Sequence, residues 1–176
     1  MDADVAQMQL MDAAIGGDAR AFESLASKHR TMIWSVCLRI TGNTYDAEDA
    51  LQDTLLAAWR GIGRFRRDAS FGTWIYRIAA NAALAVSRAR RSTDVEIPEY
   101  LTTDRDFAEK VAASDLVQKT LKGIPEDLRV ALVLRELCDF TYAQIAEYQG
   151  VPLATVKTRI NRARRAFEQA LSVDGL

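Results

Sequence analysis

The 176-residue sequence predicts an all-α protein of two small helical domains joined by a flexible acidic linker. Three observations carry this. Gly (9) and Pro (3) are scarce beside plentiful Ala, Leu, Arg and Glu, a composition that favours helix. Apolar residues recur at helical spacing over residues 6–91 and again over 113–167, and lose that spacing between them. Charge nets to −1 yet falls in blocks. Residues 61–91 hold Arg64, Arg66, Arg67, Arg77, Arg88, Arg90 and Arg91 against Asp68 alone. Residues 92–127 carry nine acids against four bases, and residues 151–176 turn basic again with Lys157, Arg159, Arg162, Arg164 and Arg165. Two basic blocks around an acidic one suggest two polyanion-facing modules on a connector.

Each element follows from local signals. A short helical pattern over 6–15 stops at Gly16-Gly17, and Asp18 caps the next helix. That helix carries the stripe Phe22, Leu25, Met32, Ile33, Val36, Cys37 and Ile40, and ends at Gly42-Asn43. The third, DAEDALQDTLLAAWRGI, has Ala47, Ala50, Leu51, Leu55, Ala58 and Trp59 as its apolar positions. Its opposite face is expected to present Asp46, Glu48, Asp49, Gln52 and Asp53. GIGRFRRDAS reads as a basic loop, and FGTWIYRIAANAALAVSRARR (71–91) as helix. From 92 to about 112 Thr, Asp, Glu and Pro98 accumulate, marking the linker. Periodicity resumes at Leu116, Val117, Leu121 and Ile124, breaks at Pro125 and continues through LRVALVLREL. The expected domains are therefore 1–91 and 113–176, with 92–112 between them.

Several function classes are disfavoured. One histidine, His29, and two cysteines a hundred residues apart give no zinc-ligand spacing. Cys37 and Cys138 read either as buried thiols in a reducing cytoplasm or as a disulfide. No apolar run approaches the ~20 residues that span a bilayer, and the acidic N-terminus lacks a secretory pattern. No GxxxxGK[ST] or GxGxxG motif occurs, and no cofactor is implied.

Residues 141–167 read as helix, turn, helix. Thr141 and Gln144 fit a capping box, Gly150 supplies the turn, and Pro152 precedes a new helix. Val156, Ile160, Ala163 and Phe167 share one face of that second helix. Lys157, Thr158, Asn161, Arg162 and Arg165 lie opposite, and Arg159 and Arg164 flank the stripe. A recognition helix needs one apolar side to stay docked and one polar side to enter the major groove. Arg and Lys pair there with guanine and Asn with adenine, while other cations neutralise phosphates.

The acid-faced DAEDALQDTLLAAW, the segment FGTWIYRIAANAALAVSRARR and the helix-turn-helix, in that order and at that spacing, resemble a bacterial sigma factor. The resemblance is to the small extracytoplasmic-function group of the sigma-70 family, which keeps only regions 2 and 4, and it runs from about Gln9 to Leu171. It implies that Asp46, Glu48, Asp49, Gln52 and Asp53 dock on the β′ clamp helices of core RNA polymerase, an acidic face suiting a basic partner. The β flap is a further implied polymerase contact. The resemblance assigns Trp74, Arg77, Asn81, Arg88, Arg90 and Arg91 to the -10 element, where melted bases are captured by stacking and polar contacts. Trp74 reads as a wedge at the melting point or as core, and aromatics at helical spacing favour core. Lys157, Thr158, Arg159, Asn161 and Arg162 fall to the -35 element. One departure is Ala85, where many relatives carry a polar residue; it leaves the expected base-reading loop in ANAALAV Ala-rich. The acidic tether, with Asp94, Glu96, Glu99, Asp104 and Asp106, resembles the family linker that threads nucleic-acid channels of polymerase. The implied protein is a non-enzymatic cytoplasmic promoter-specificity subunit with promoter DNA as ligand. An anti-sigma factor is an implied partner that holds it at the membrane.

Two other readings fit parts of the chain. A stand-alone helix-turn-helix regulator explains residues 141–167 but leaves the DAED helix and the Trp74–Asn81 segment unused. A purely structural helical adaptor makes the charge blocks solvated faces.

Overall fold

A computed structural model describes residues 2–92 and 115–174. The expected linker, with Asp94, Glu96, Pro98, Glu99, Asp104 and Asp106, lies outside the described residues except for Ser92. Among the described residues there are eight α-helices and no strand. They are α1 (Asp2–Ile15), α2 (Ala19–Thr41), α3 (Thr44–Gly61), α4 (Phe71–Arg91), α5 (Asp115–Lys122), α6 (Glu126–Glu136), α7 (Tyr142–Gln149) and α8 (Leu153–Asp174). A short 3-10 turn, Ile62–Arg64, opens the stretch expected to be loop.

Local chemistry sets the helix ends. The Asp18 carboxylate accepts from the N–H groups of Arg20 and Ala21 at 2.9 and 3.1 Å, satisfying two of the donors a helix start leaves unpaired. Gly42 ends α2 at φ 80°, a left-handed conformation that only glycine adopts cheaply. Asn43 caps α3 and Ser70 caps α4. Pro125, which cannot continue a helix, separates α5 from α6.

α2 packs against α1, α3 and α4, and α3 lies along α4. In the second module α6, α7 and α5 pack on α8. α2 also touches α5 and α6, so the two modules meet. One apolar cluster runs through both, joining Ile33, Cys37, Ile40 and Leu84 to Val130, Leu134, Cys138 and Phe140. At the same junction the buried Gln118 Nε2 donates to the Leu38 carbonyl at 3.2 Å. Sequence periodicity implies two bodies on a tether; the structure closes them onto a shared core, because α2 has apolar residues on more of its circumference than its own module covers. Both cysteines are buried free thiols, and burial pushes each up to about 12.

Candidate polymerase-facing and DNA-facing surfaces

α3 divides its acids. Glu48, Asp49, Gln52 and Asp53 are exposed and project together, since positions three and four apart share a face. Asp46 does not join them. It is 4% exposed, and its Oδ2 accepts from Asn43 Nδ2 and from Arg90 Nη1, both at 2.8 Å. A carboxylate taken out of water needs such partners. The sequence-based placement of Asp46 on the open acidic face is corrected here: it fastens the start of α3 to the end of α4. Arg90, expected to contact DNA, is its ion-pair partner. Sequence reasoning also missed Tyr45 and Leu56, 47% and 48% exposed on the same helix. With Asp49 and Gln52 they form an i, i+4, i+7, i+11 row. Leu56 was legible as the apolar residue that stands off the Ala47–Trp59 stripe.

α4 carries the second set. Trp74 is half-buried, its ring centroid 5.0 Å from that of Phe65 and 5.6 Å from that of Phe71. Its indole lies over Gly61, where a Cβ would sit 3.4 Å from the ring. Gly72 serves a similar close approach: a Cβ there would come within 3.0 Å of His29 Cε1. His29 Nδ1 and the Tyr76 hydroxyl share a 2.7 Å hydrogen bond. Burial, with Lys28 adding to it, holds the His29 imidazole below its ordinary pKa, and burial raises that of the Tyr76 phenol. Asn81 is exposed. The loop expected within ANAALAV is absent: α4 runs unbroken through Asn81 and Ala85 to Arg91, and the neighbouring irregular stretch is 65–70. Ala-rich sequence favours helix, which is why no loop forms there.

The remaining arginines of α4 meet the second module. Arg77 Nη2 donates to the Asp139 carbonyl at 2.9 Å, with its guanidinium 5.4 Å from the Phe140 ring centroid. Arg88 stacks over Tyr148 at 4.8 Å. Arg91 pairs with Glu126 at 3.2 Å.

The helix-turn-helix forms as its sequence implies. Thr141 Oγ1 accepts from the Gln144 N–H at 3.2 Å, and Gln144 Oε1 accepts from the Thr141 N–H at 2.9 Å. Gly150 turns the chain at φ 63°. On α8 Val156, Ile160 and Ala163 are wholly buried, while Lys157, Thr158, Asn161, Arg162 and Arg165 are exposed. The Thr158 hydroxyl donates to the Ala154 carbonyl at 3.1 Å, leaving its oxygen lone pairs outward. Arg159 departs from the exposed set. It pairs with Asp127 at 3.2 Å and donates to Gln149 Oε1 at 2.9 Å, bracing α8 against α6 and α7.

The Sigma-70 region 2 family model matches residues 25–93, and the Sigma-70, region 4 model matches residues 114–167. The RNA polymerase sigma-H factor of Pseudomonas aeruginosa is 35% identical, over 93% of this chain and 92% of that protein. The ECF RNA polymerase sigma-E factor of Escherichia coli K12 is 34% identical, over 86% of this chain and 87% of that protein. Among solved structures, CnrH in complex with the cytosolic domain of CnrY gives a TM-score of 0.58 at 26% identity, covering 96% of this chain and 99% of that one. The sigma factor RpoE in complex with the anti-sigma factor NepR from Bartonella quintana gives 0.59 at 23% identity, covering 89% and 99%, and bears on the fold alone. An acid-faced helix and an arginine-rich helix in one module, with a helix-turn-helix in the other, define a promoter-reading initiation factor of two regions. The chain belongs to the sigma-70 family of RNA polymerase sigma factors, in its ECF group, and directs transcription initiation.

Proposed function

We propose that the exposed row of α3, namely Glu48, Asp49, Gln52 and Asp53 with Tyr45 and Leu56 at its ends, docks on the β′ clamp helices of core RNA polymerase. Asp46 stays beneath that face, paired with Arg90, and is not part of the docking row. The second module meets the β flap and reads the -35 element with Lys157, Thr158, Asn161 and Arg162. Arg159 joins them when its brace to Asp127 opens. Arg77, Asn81, Arg88 and Arg91 contact the -10 strands, with Trp74 at the melting point, and binding energy alone holds the bubble open. The domains acting in this way are 1–91 and 113–176, with 92–112 as the acidic tether through the polymerase channel. The observation that carries this reading is the split of α8, whose Val156, Ile160 and Ala163 are wholly buried while its cations and Asn161 face outward.

No nucleotide-hydrolysis motif occurs in the sequence, and the reading requires none: the chain is a binding factor rather than an enzyme. No helix among the described residues is long and apolar enough to cross a membrane. The proposed compartment is the bacterial cytoplasm, with an anti-sigma partner retaining the factor at the membrane. CnrH, 26% identical to this chain, is solved in complex with the cytosolic domain of CnrY, which supports a protein partner of this kind.

The test is binding of labelled chain to core RNA polymerase beside an Asp49→Arg/Gln52→Ala variant. Tight wild-type binding and at least ten-fold weaker binding by the variant, a loss of about 1.4 kcal/mol, are expected. A folded wild-type chain that ignores core polymerase overturns the docking assignment. Recovery of polymerase without any small inhibitor from native lysate counts against the anti-sigma partner.

A further inference from the structure

Helix α1 has no part in the surfaces described above, yet it reaches the segment that leads into α4. Met11 and Ala14 are buried in the first module, which fixes the helix, and α1 packs on the 3-10 turn Ile62–Arg64. From the exposed side of α1 the Asp12 carboxylate takes the guanidinium of Arg67, 55 positions further along the chain.

Arg67 is one of two non-glycine residues among the described residues with a left-handed backbone, at φ 62°. That conformation crowds a side chain's Cβ and persists only where the surroundings hold it. The other, Asp139, follows the end of α6, where a left-handed residue is routine: the Phe140 N–H bonds to the Leu134 carbonyl at 3.0 Å. Arg67 ends no helix and lies inside the irregular stretch 65–70. Both ends of that stretch are fixed in other ways. Phe65 packs on Trp74 and meets Phe71 edge-on, with 6.2 Å between the last two ring centroids. The Ser70 hydroxyl accepts from the Thr73 N–H at 3.0 Å. Arg66 and Asp68 pair with each other at 3.1 Å. Asp12 is what ties the middle of the stretch to another helix.

We propose that Asp12 is a positioning residue for promoter melting. Through Arg67 it holds residues 65–70 in one shape, which sets Phe65 and, against it, the Trp74 ring. Helix α1 thereby belongs to the -10 apparatus without touching DNA. The idea rests on the placement of Trp74 at the melting point made above. Arg67 and Asp12 keep 41% and 63% of their side-chain surface in water, so the tie is weak, and its loss slows melting several-fold rather than by orders of magnitude.

The experiment follows opening of a promoter fragment that wild-type holoenzyme melts, read by 2-aminopurine fluorescence in the -10 element. Holoenzyme bearing Asp12→Asn, Arg67→Gln or the exchanged pair Asp12→Arg/Arg67→Asp is compared with wild type. Affinity for the same fragment with a mismatched, already open -10 segment is measured alongside by anisotropy. Each single variant is expected to open the duplex about five-fold more slowly. The exchanged pair is expected to return to within about two-fold of wild type, since aspartate also accepts the left-handed conformation. All are expected to bind the pre-opened fragment alike, which a general loss of structure would not allow. Duplex opening by Asp12→Asn at the wild-type rate overturns the proposal. Faster opening by that variant overturns it too, because the freed Arg67 would then be contacting DNA itself. A folded exchanged pair that stays as slow as the single variants, or an equal loss on the pre-opened fragment, has the same consequence. Should the exchanged pair lose its circular-dichroism signal, Asp12→Glu, which keeps the charge, takes its place and is expected to open the duplex as wild type does; slow opening by it overturns the proposal. Failure of the underlying assignment looks different: holoenzyme bearing Trp74→Ala would then open the duplex at the wild-type rate.

Discussion

Asp46 and Asp49 lie three residues apart on one helix, yet they do different work. Asp49 faces water, whereas Asp46 closes a network of Asn43 and Arg90 beneath the surface. Replacing Asp46 by Ala removes two charge-related hydrogen bonds. The cost stays below that of breaking a fully enclosed ion pair, because Arg90 retains 33% of its side-chain exposure and can rehydrate. We expect Asp46→Ala to lower unfolding free energy by about 2 kcal/mol in urea titration, with polymerase affinity unchanged once the variant is folded. A pure docking residue would give the reverse, lost affinity at wild-type stability. The sequence could not separate the two acids. Both lie on the polar side of the amphipathic pattern, and the partner that draws Asp46 inward is 44 positions away. A similar separation along the chain hides the approach of Gly72 to His29, which no local pattern announces.

Elements were far more legible than pairings. Asp18, Gly42, Thr141 with Gln144, and Gly150 each act within a few residues of their own backbone, so their roles could be read from short strings and recur in the structure. α4 shows where analogy fails: the helix read from its own residues over 71–91 forms, and the loop taken from the resemblance does not. A loop was expected in ANAALAV by analogy, but a run of alanines has every intrinsic reason to stay helical. The capping box gives the clearest prediction at this scale. Thr141→Ala removes the side-chain acceptor for the Gln144 N–H and half of the reciprocal cap. It is expected to cost about 1 kcal/mol in thermal or urea unfolding. Affinity for a -35 duplex should fall as α7 frays and α8 loses its fixed entry angle, which anisotropy on a short promoter fragment measures.

Across the whole molecule, the two charge blocks and the acidic stretch between them gave the modular plan, but not how the modules meet. Their contact is built from apolar residues that each module alone would assign to its own core, such as Ile40 in α2 and Leu134 in α6. All three tryptophans, Trp34, Trp59 and Trp74, belong to the first module, so their fluorescence reports its unfolding alone. Leu134, wholly buried in the second, provides the perturbation. Leu134→Ala is expected to remove about 2–5 kcal/mol and to shift the tryptophan-detected midpoint along with the helicity-detected one. A tryptophan transition that stays in place would mean that the modules unfold independently.

The shared core also bears on how long the chain survives. Pulling α6 off α2 would uncover Leu134, Cys138 and Phe140, apolar surface of the kind that housekeeping proteases recognise. When opening is fast relative to cleavage, degradation follows the population of the open form. A copy in which the two modules have come apart would therefore be removed ahead of one in which they stay packed.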